Sequence, residues 1–386
     1  MAITKIRSDC RFEIQLKKSG GLKIDINSKV GILYGRSIKK QIIDMCKFFT
    51  VKNANIKMED SGALPFVIAA RFEYTIKKLK PEIKKEYLLP FNNKNLIKTT
   101  KDRIRRSRLY LPGNKPKFFI NAGLHKPDGI ILDLEDSVSP KEKESAKYLV
   151  RNALRSVDFY GCERMVRINQ LPKGINDLKF VVSHGVQVIL IPKCETKEQV
   201  IDVENEIKRL KEIHNIKHTI YLMPIIESAL GIVNSYKIAS ASKLNCALTI
   251  GLEDYTADIG TQRTEEGRES LFARSMIVNS AKAAGIQAID SVYSDISNME
   301  GLKKSIIEAK SLGFEGKGCI HPRQIEVVHK TFAPSEMEIE KAKKIVEAFK
   351  EAEKQGLGVV SLGSKMIDPP VVIRAMRVLE LAKTKK

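Results

Sequence analysis

Glu227 closes the apolar run Tyr221-Leu222-Met223-Pro224-Ile225-Ile226, and Glu253 and Asp254 follow a second run, Ala247-Leu248-Thr249-Ile250, after Gly251-Leu252. Short apolar runs of this kind read as buried parallel strands. Acids at the ends of two neighbouring strands could hold a hard cation, because Mg2+ takes one or two carboxylates and keeps several waters. The same acids could instead cap the following helices or lie solvated in loops. One such acid alone would be read that way; two on consecutive strand ends favour the metal.

Apolar runs at 108–111, 129–133, 165–168, 186–192, 219–226, 246–251, 287–292 and 318–321 alternate with helical stretches. This predicts an α/β fold, a TIM (β/α)8 barrel, in preference to a doubly wound open sheet. The barrel is preferred because polar residues follow the apolar core of every strand, and a barrel gathers those ends at one face. They comprise Tyr110 with Asn114, Lys115 and Lys117; Asp133, Glu135 and Asp136; Arg167 and Asn169; Lys193; Glu227; Glu253 and Asp254; Asp290 and Ser291; and His321. Carboxylates for a metal and an arginine for an anionic substrate form a natural set. Lys193 reads as electrostatic or structural.

Other elements flank this core. Residues 1–80 read as a small α+β unit. It has alternating strands at 12–16 and 22–26 joined through Gly20-Gly21 as a hairpin, a helix from Ser37, a third strand at 55–59 and a helix opened by Pro65. Residues 76–108 hold twelve Lys or Arg against three acids, so 81–101 is assigned to a basic linker. The barrel is assigned to 102–332 and a C-terminal helical extension to 333–386. That extension has a helix from Pro334-Ser335-Glu336 to about Gln355, a Gly-rich turn and strand at 356–363, and a last helix from about Pro370. Asp368 precedes that helix, and spacing alone makes it a helix cap.

The chain of 386 residues is 43% hydrophobic, which supports a sizeable core. Its six cysteines show no ligand-like spacing, which argues against zinc and for a reduced, cytoplasmic setting. No apolar run is long enough for a membrane span. The net charge of +21 comes from lysines spread along the whole chain. It therefore reads as solvated faces rather than a nucleic-acid footprint, although part of it could serve a multiply anionic ligand.

Seven motifs in order resemble one family: Arg108-Leu109-Tyr110-Leu111-Pro112-Gly113-Asn114, Leu132-Asp133-Leu134-Glu135-Asp136-Ser137-Val138, Val166-Arg167-Ile168-Asn169, Pro192-Lys193, Ile226-Glu227-Ser228-Ala229, Gly251-Leu252-Glu253-Asp254 and Ile320-His321-Pro322. They are similar to the citrate lyase β-subunit group of the HpcH/HpaI aldolase superfamily, whose relatives include malyl-CoA and citramalyl-CoA lyases. The resemblance implies Mg2+ held by Glu227 and Asp254. Arg167 would bind the substrate carboxylate or thioester oxygen, with Tyr110, Lys115, Lys117 and Asn169 around the thioester. Glu135 and Asp136 would order waters near the metal. Met366-Ile367-Asp368 matches a C-terminal aspartate that the family lends to a neighbouring subunit, so Asp368 becomes a catalytic candidate and the chain a homo-trimer or hexamer, with or without a separate transferase subunit.

Residues 1 to about 80 resemble the citrate lyase acyl-carrier (γ) subunit, through Glu59-Asp60-Ser61-Gly62-Ala63-Leu64 and Ala69-Ala70-Arg71-Phe72-Glu73. In that family a serine near the N-terminus carries phosphoribosyl-dephospho-CoA. Aligning Asp9 puts Arg7 at the attachment position, and Ser8 serves with a one-residue slip. The activity implied is cleavage of a 3-hydroxy-carboxyacyl thioester, citryl-carrier giving oxaloacetate and acetyl-carrier. The alternatives are a malyl-CoA or citramalyl-CoA type lyase acting on free CoA thioesters, and a non-enzymatic basic scaffold.

Overall fold

The structure is a computed structural model that describes residues 7–354, 359–362 and 365–383. The first unit comprises β1 (Cys10–Leu16), β2 (Leu22–Ser28), α1 (Gly31–Phe48), β3 (Ala54–Asp60) and α2 (Pro65–Leu79). Its sheet order is β1-β3-β2, with β3 antiparallel to β1 and parallel to β2. The expected hairpin between β1 and β2 is therefore not formed. Asn53 explains why. Its side chain accepts from Gly21 N–H at 2.8 Å and donates to Lys18 O at 3.2 Å, so the Gly20-Gly21 turn wraps the start of β3 and opens a gap that β3 fills. Helix α1 begins six residues before Ser37, because Ile32 and Leu33 in its first turn face solvent and give no amphipathic signal. Phe12, Ile42, Met45, Ile56, Met58, Phe66 and Phe72 fill the space between sheet and helices.

The barrel follows as β4 (Ser107–Pro112), β5 (Gly129–Asp133), α3 (Lys143–Ser156), β6 (Glu163–Arg167), β7 (Val188–Ile191), α4 (Lys197–Ile213), β8 (Tyr221–Ile226), α5 (Ala229–Val233), α6 (Ser235–Ala239), β9 (Ala247–Ile250), α7 (Leu252–Asp258), α8 (Arg268–Ala283), β10 (Gln287–Asp290), α9 (Met299–Leu312), β11 (Gly316–Cys319) and α10 (Arg323–Phe332). The eight strands are all parallel and close on themselves, β11 pairing with β4. Alternation sends Leu109, Ile130 and Leu132 out to the helices, and Ile131, Met165, Leu190, Met223 and Ile225 into the barrel. The eighth strand lies two residues earlier than the 318–321 expected. Gly316 and Gly318 disguise it, yet both are steric requirements: a Cβ at 316 would strike Arg105 O, and one at 318 would lie 2.6 Å from Val292 Cγ1.

Helix α2 of the first unit packs on α3 of the barrel. Buried Glu73 takes Arg151 through both nitrogens, at 2.6 and 3.0 Å, and Lys77 at 2.7 Å, while Arg151 also reaches Glu86 at 2.9 Å. Asn152 donates to Phe66 O at 3.1 Å. Residues 81–101 run along the barrel surface, with Ile83, Tyr87 and Leu89 against the core and Asn95 donating to Leu154 O and Val157 O. Arg151→Ala leaves the buried Glu73 carboxylate with Lys77 as its remaining ion-pair partner, and the expected cost is about 1–3 kcal/mol. Chemical denaturation measures that loss, and faster proteolysis within 81–101 would report the loosened joint.

After the barrel, α11 (Glu336–Lys354), β12 (Val360–Leu362), β13 (Lys365–Ile367) and α12 (Pro369–Lys383) form a small lobe. Ala342, Ile345, Phe349, Ile367, Val372 and Ala375 make its own core, separate from the barrel's. Of the Gly-rich stretch expected at 356–363, residues 356–358 and 363 lie outside the described residues. Among the described residues no helix is long and apolar enough to cross a membrane.

Candidate active site

The strand ends of the barrel surround a cavity of about 210 Å3, lined among others by Tyr110, Asp133, Arg167, Glu227, Asp254 and Ser291. Asp133 ends β5 and Arg167 ends β6, next to it in the sheet. The guanidinium grips Asp133 from Nε at 2.7 Å and from a terminal nitrogen at 2.8 Å. Its other terminal nitrogen lies 2.9 Å from Glu135, and the group sits over the Tyr110 ring at 5.4 Å. Burial works against the Arg167 charge, but the Asp133 carboxylate more than offsets it and holds the guanidinium above its ordinary value. Asp133 is kept low in turn by Arg167, against its own burial, and by the Ser137 hydroxyl and the Glu135 N–H.

Lys193, two residues after the end of β7, stands among the acids. It has φ +48°, a conformation rare for a side-chain-bearing residue. This turn aims its N–H at Glu227 (2.8 Å) and sends its ammonium among Glu135 (3.2 Å), Asp136 (3.5 Å) and Asp254 (3.6 Å). Burial pushes the Glu227 carboxyl up to about 7, with the Lys193 N–H and Arg167 opposing and Asp254 and Glu135 adding to the rise. Burial also raises Glu135, with Arg167 opposing and Asp136 adding to it.

These residues fit a hard divalent cation. Glu135 and Asp254 offer carboxylate oxygens that already draw the Lys193 ammonium, and Glu227, held by the Lys193 N–H, lines the cavity wall with Asp254. Gly251 leaves the room for it, since a Cβ there would collide with Glu227 Oε1. Among the described residues no three acidic, histidine or cysteine side chains close on a single point. A cation of the Mg2+ type needs no such closure, as it binds through one or two carboxylates and keeps waters.

The remaining candidates are placed as follows. Lys115 and Lys117 lie on the rim loop after β4, Lys117 exposed with its ammonium 4.6 Å from the Phe118 ring centre. The Asn169 side chain is spent on Asp177 and Lys143, and it does not line the cavity. Glu253 lines the cavity, with its carboxylate paired to Arg263. Asp290 is buried between Lys317 and Arg274. His321 accepts from Arg323 N–H in the turn before α10. Asp368 caps α12, its carboxylate accepting from Val371 N–H at 3.2 Å; it is not part of this chain's own cavity wall. Ser8 sits beside the rim: the adjacent Asp9 pairs with Arg71, and Arg71 also donates to Asn114 O at 3.1 Å. The sequence reading passed over the hub position of Lys193 and, inside the barrel, over Arg108; the signal for Arg108 was a cation two residues before Tyr110, hence on the same face of β4.

A family model described as HpcH/HpaI aldolase/citrate lyase matches residues 106–322. A second, described as malonate decarboxylase delta subunit (MdcD), matches residues 6–79. Citrate lyase subunit beta of Haemophilus influenzae is 45% identical over 285 residues, covering 73% of this chain and 98% of its own. Mitochondrial citramalyl-CoA lyase of Homo sapiens is 32% identical over 291 residues, covering 72% and 85%. The crystal structure of CitE from Mycobacterium tuberculosis in complex with magnesium, acetoacetate and coenzyme A superposes with a TM-score of 0.61 at 28% identity, covering 72% of this chain and 98% of that one.

Proposed function

The chain belongs to the HpcH/HpaI aldolase/citrate lyase family and is a carbon–carbon lyase; we propose that it is a Mg2+-dependent one that cleaves a 3-hydroxy-carboxyacyl thioester, citryl-carrier giving oxaloacetate and acetyl-carrier. The observation that carries this reading is the pair of acids Glu227 and Asp254 on one cavity wall, with Glu135 and Asp254 drawing the Lys193 ammonium, beside an arginine fixed by Asp133. Bound at Glu227 and Asp254, Mg2+ would supply Lewis acidity that makes the substrate hydroxyl easier to deprotonate. Arg167, immobilised before substrate arrives, faces the charge that develops on the oxygens during cleavage. Glu135 and Asp136 order water at the mouth and receive the hydroxyl proton. The hydroxyl oxygen then becomes the ketone oxygen of the oxoacid. The electron pair of the broken C–C bond passes to the carbon alpha to the thioester carbonyl, as an enolate, and a proton from the carboxylic acid form of Asp368 of a second copy converts that carbon to the methyl group of the acetyl thioester. No nucleophilic cysteine and no Schiff-base lysine is required.

At about 210 Å3 the cavity suits the small acid half, while the thioester arm stays outside near Lys115 and Lys117. The Arg71 bridge favours a carrier-borne arm, since it keeps Ser8 at the rim of the same chain's barrel. The test is to incubate the protein and Mg2+ with citryl-, malyl- and citramalyl-CoA and to assay 2-oxoacid, with Asp254→Ala abolishing the signal. Intact mass supplies the second arm: an added nucleotide-thiol mass that disappears in Ser8→Ala is expected. An unmodified, fully active protein would move the assignment to free CoA thioesters.

A further inference from the structure

Arg108 is one of the largest fully buried side chains of the protein, at 1% exposure. It points into the barrel from β4, one inward position beneath Tyr110, and crosses the interior to β8 and β9. One terminal nitrogen lies 3.0 Å from Met223 Sδ, a weak acceptor, and the other donates to Thr249 Oγ1 at 3.2 Å. Its Nε has no partner. Among the described residues no carboxylate pairs with it, and burial lowers its proton affinity. Two buried acids of the cavity wall have cationic partners, Asp133 in Arg167 and Asp290 in Lys317 and Arg274, while buried Glu227 accepts the Lys193 N–H. Thr249 cannot turn to help further, as its hydroxyl donates to Ile289 O at 3.0 Å.

A buried guanidinium without a counter-charge is costly, and an anion that reaches it removes that cost. Arg108 lines the same cavity as Tyr110, Arg167 and Glu227, so an anion entering between the strand ends can reach it. Arginine suits a planar carboxylate, which it can hold through two parallel hydrogen bonds. We propose that Arg108 is the floor of an anion subsite that takes the second carboxylate of a dicarboxylic oxoacid or of the matching acyl half. It thereby selects dicarboxylic over monocarboxylic substrates. This inference rests on the proposed lyase function, in which Arg167 and the carboxylates engage the reacting end of the same molecule.

Calorimetric titration in Mg2+ buffer with oxaloacetate and with pyruvate tests it on the wild-type chain, Arg108→Met and Arg108→Lys. The wild-type chain is expected to bind oxaloacetate more tightly than pyruvate. Arg108→Met is expected to weaken oxaloacetate about tenfold or more, to the level of pyruvate, and to leave pyruvate unchanged. Arg108→Lys should retain part of the preference and guards against a folding defect. In the absence of ligand, Arg108→Met should melt no lower than wild type, since it replaces an unpaired buried charge with an apolar chain. Equal weakening of both acids, or of neither, overturns the subsite. Acetate or chloride displacing oxaloacetate without any preference between the oxoacids would mark a general small-anion site and also overturns the substrate assignment. A wild-type chain that binds neither oxoacid would instead defeat the lyase reading, and the subsite with it.

Discussion

Glu227→Gln is expected to abolish turnover, by about 10^3-fold or more, while leaving the fold at least as stable as before. The two halves of this result have one cause. Glu227 is buried, its carboxyl is pushed up to about 7, and its ionised form pays for desolvation that only a nearby cation can offset. Glutamine keeps an oxygen to accept the Lys193 N–H, so the strand end stays in place. It removes the charge, and with it the strongest reason for a divalent cation to bind. Titration calorimetry with Mg2+ and a thermal melt report the two halves separately. A variant with wild-type cation affinity and turnover would show that Glu227 is not a ligand.

Arg167→Ala should differ in kind, losing stability and activity together. Asp133 is buried and relies on both nitrogens of the guanidinium. Without it a carboxylate is stranded, at an expected cost of about 3–5 kcal/mol. The fold loss in kcat/KM should be about 10^2–10^3, the scale found when one charge-stabilising donor is removed. Arg167→Lys is the informative companion, because lysine restores a charge but cannot span Asp133 and Glu135 at once. Partial recovery of stability with little recovery of turnover would identify the fork geometry, rather than the charge, as what the site needs. Full activity in either variant would remove Arg167 from the proposed mechanism.

Much of this was legible in the sequence, for a physical reason. Parallel strands buried on both faces are apolar runs, and the residue that breaks each run stands at the barrel mouth; Asp133, Arg167, Glu227 and the Glu253-Asp254 pair were all visible that way. What pattern could not show was how their charges are shared. Glu253 and Asp254 are adjacent in sequence and both line the cavity, yet one pairs with Arg263 and the other with Lys193. Asn169 looked available and is consumed by Asp177 and Lys143. Gly316-Lys317-Gly318 hid the start of the eighth strand, because tight backbone approach excluded the branched residues that usually announce one. The β1–β2 turn misled because a turn fixes where the chain reverses and not whether another strand enters between its arms.

The closure of the barrel through β11 and β4 also bears on how the chain reaches this state. Ser107 pairs with Lys317, with nearly the whole barrel sequence between them. Contacts of such separation form late, because loop closure must precede any gain from them. The first unit has a sheet of its own, made from neighbouring segments, and precedes the barrel in the chain, although its apolar side chains join the barrel's outer core in one cluster. Its helix α2 precedes α3 in the chain, and Glu73 on α2 is the partner that Arg151 on α3 takes in the folded protein. The fused N-terminal unit thus gives the first βα segment of a slow-closing barrel a packing partner that does not depend on the last strand.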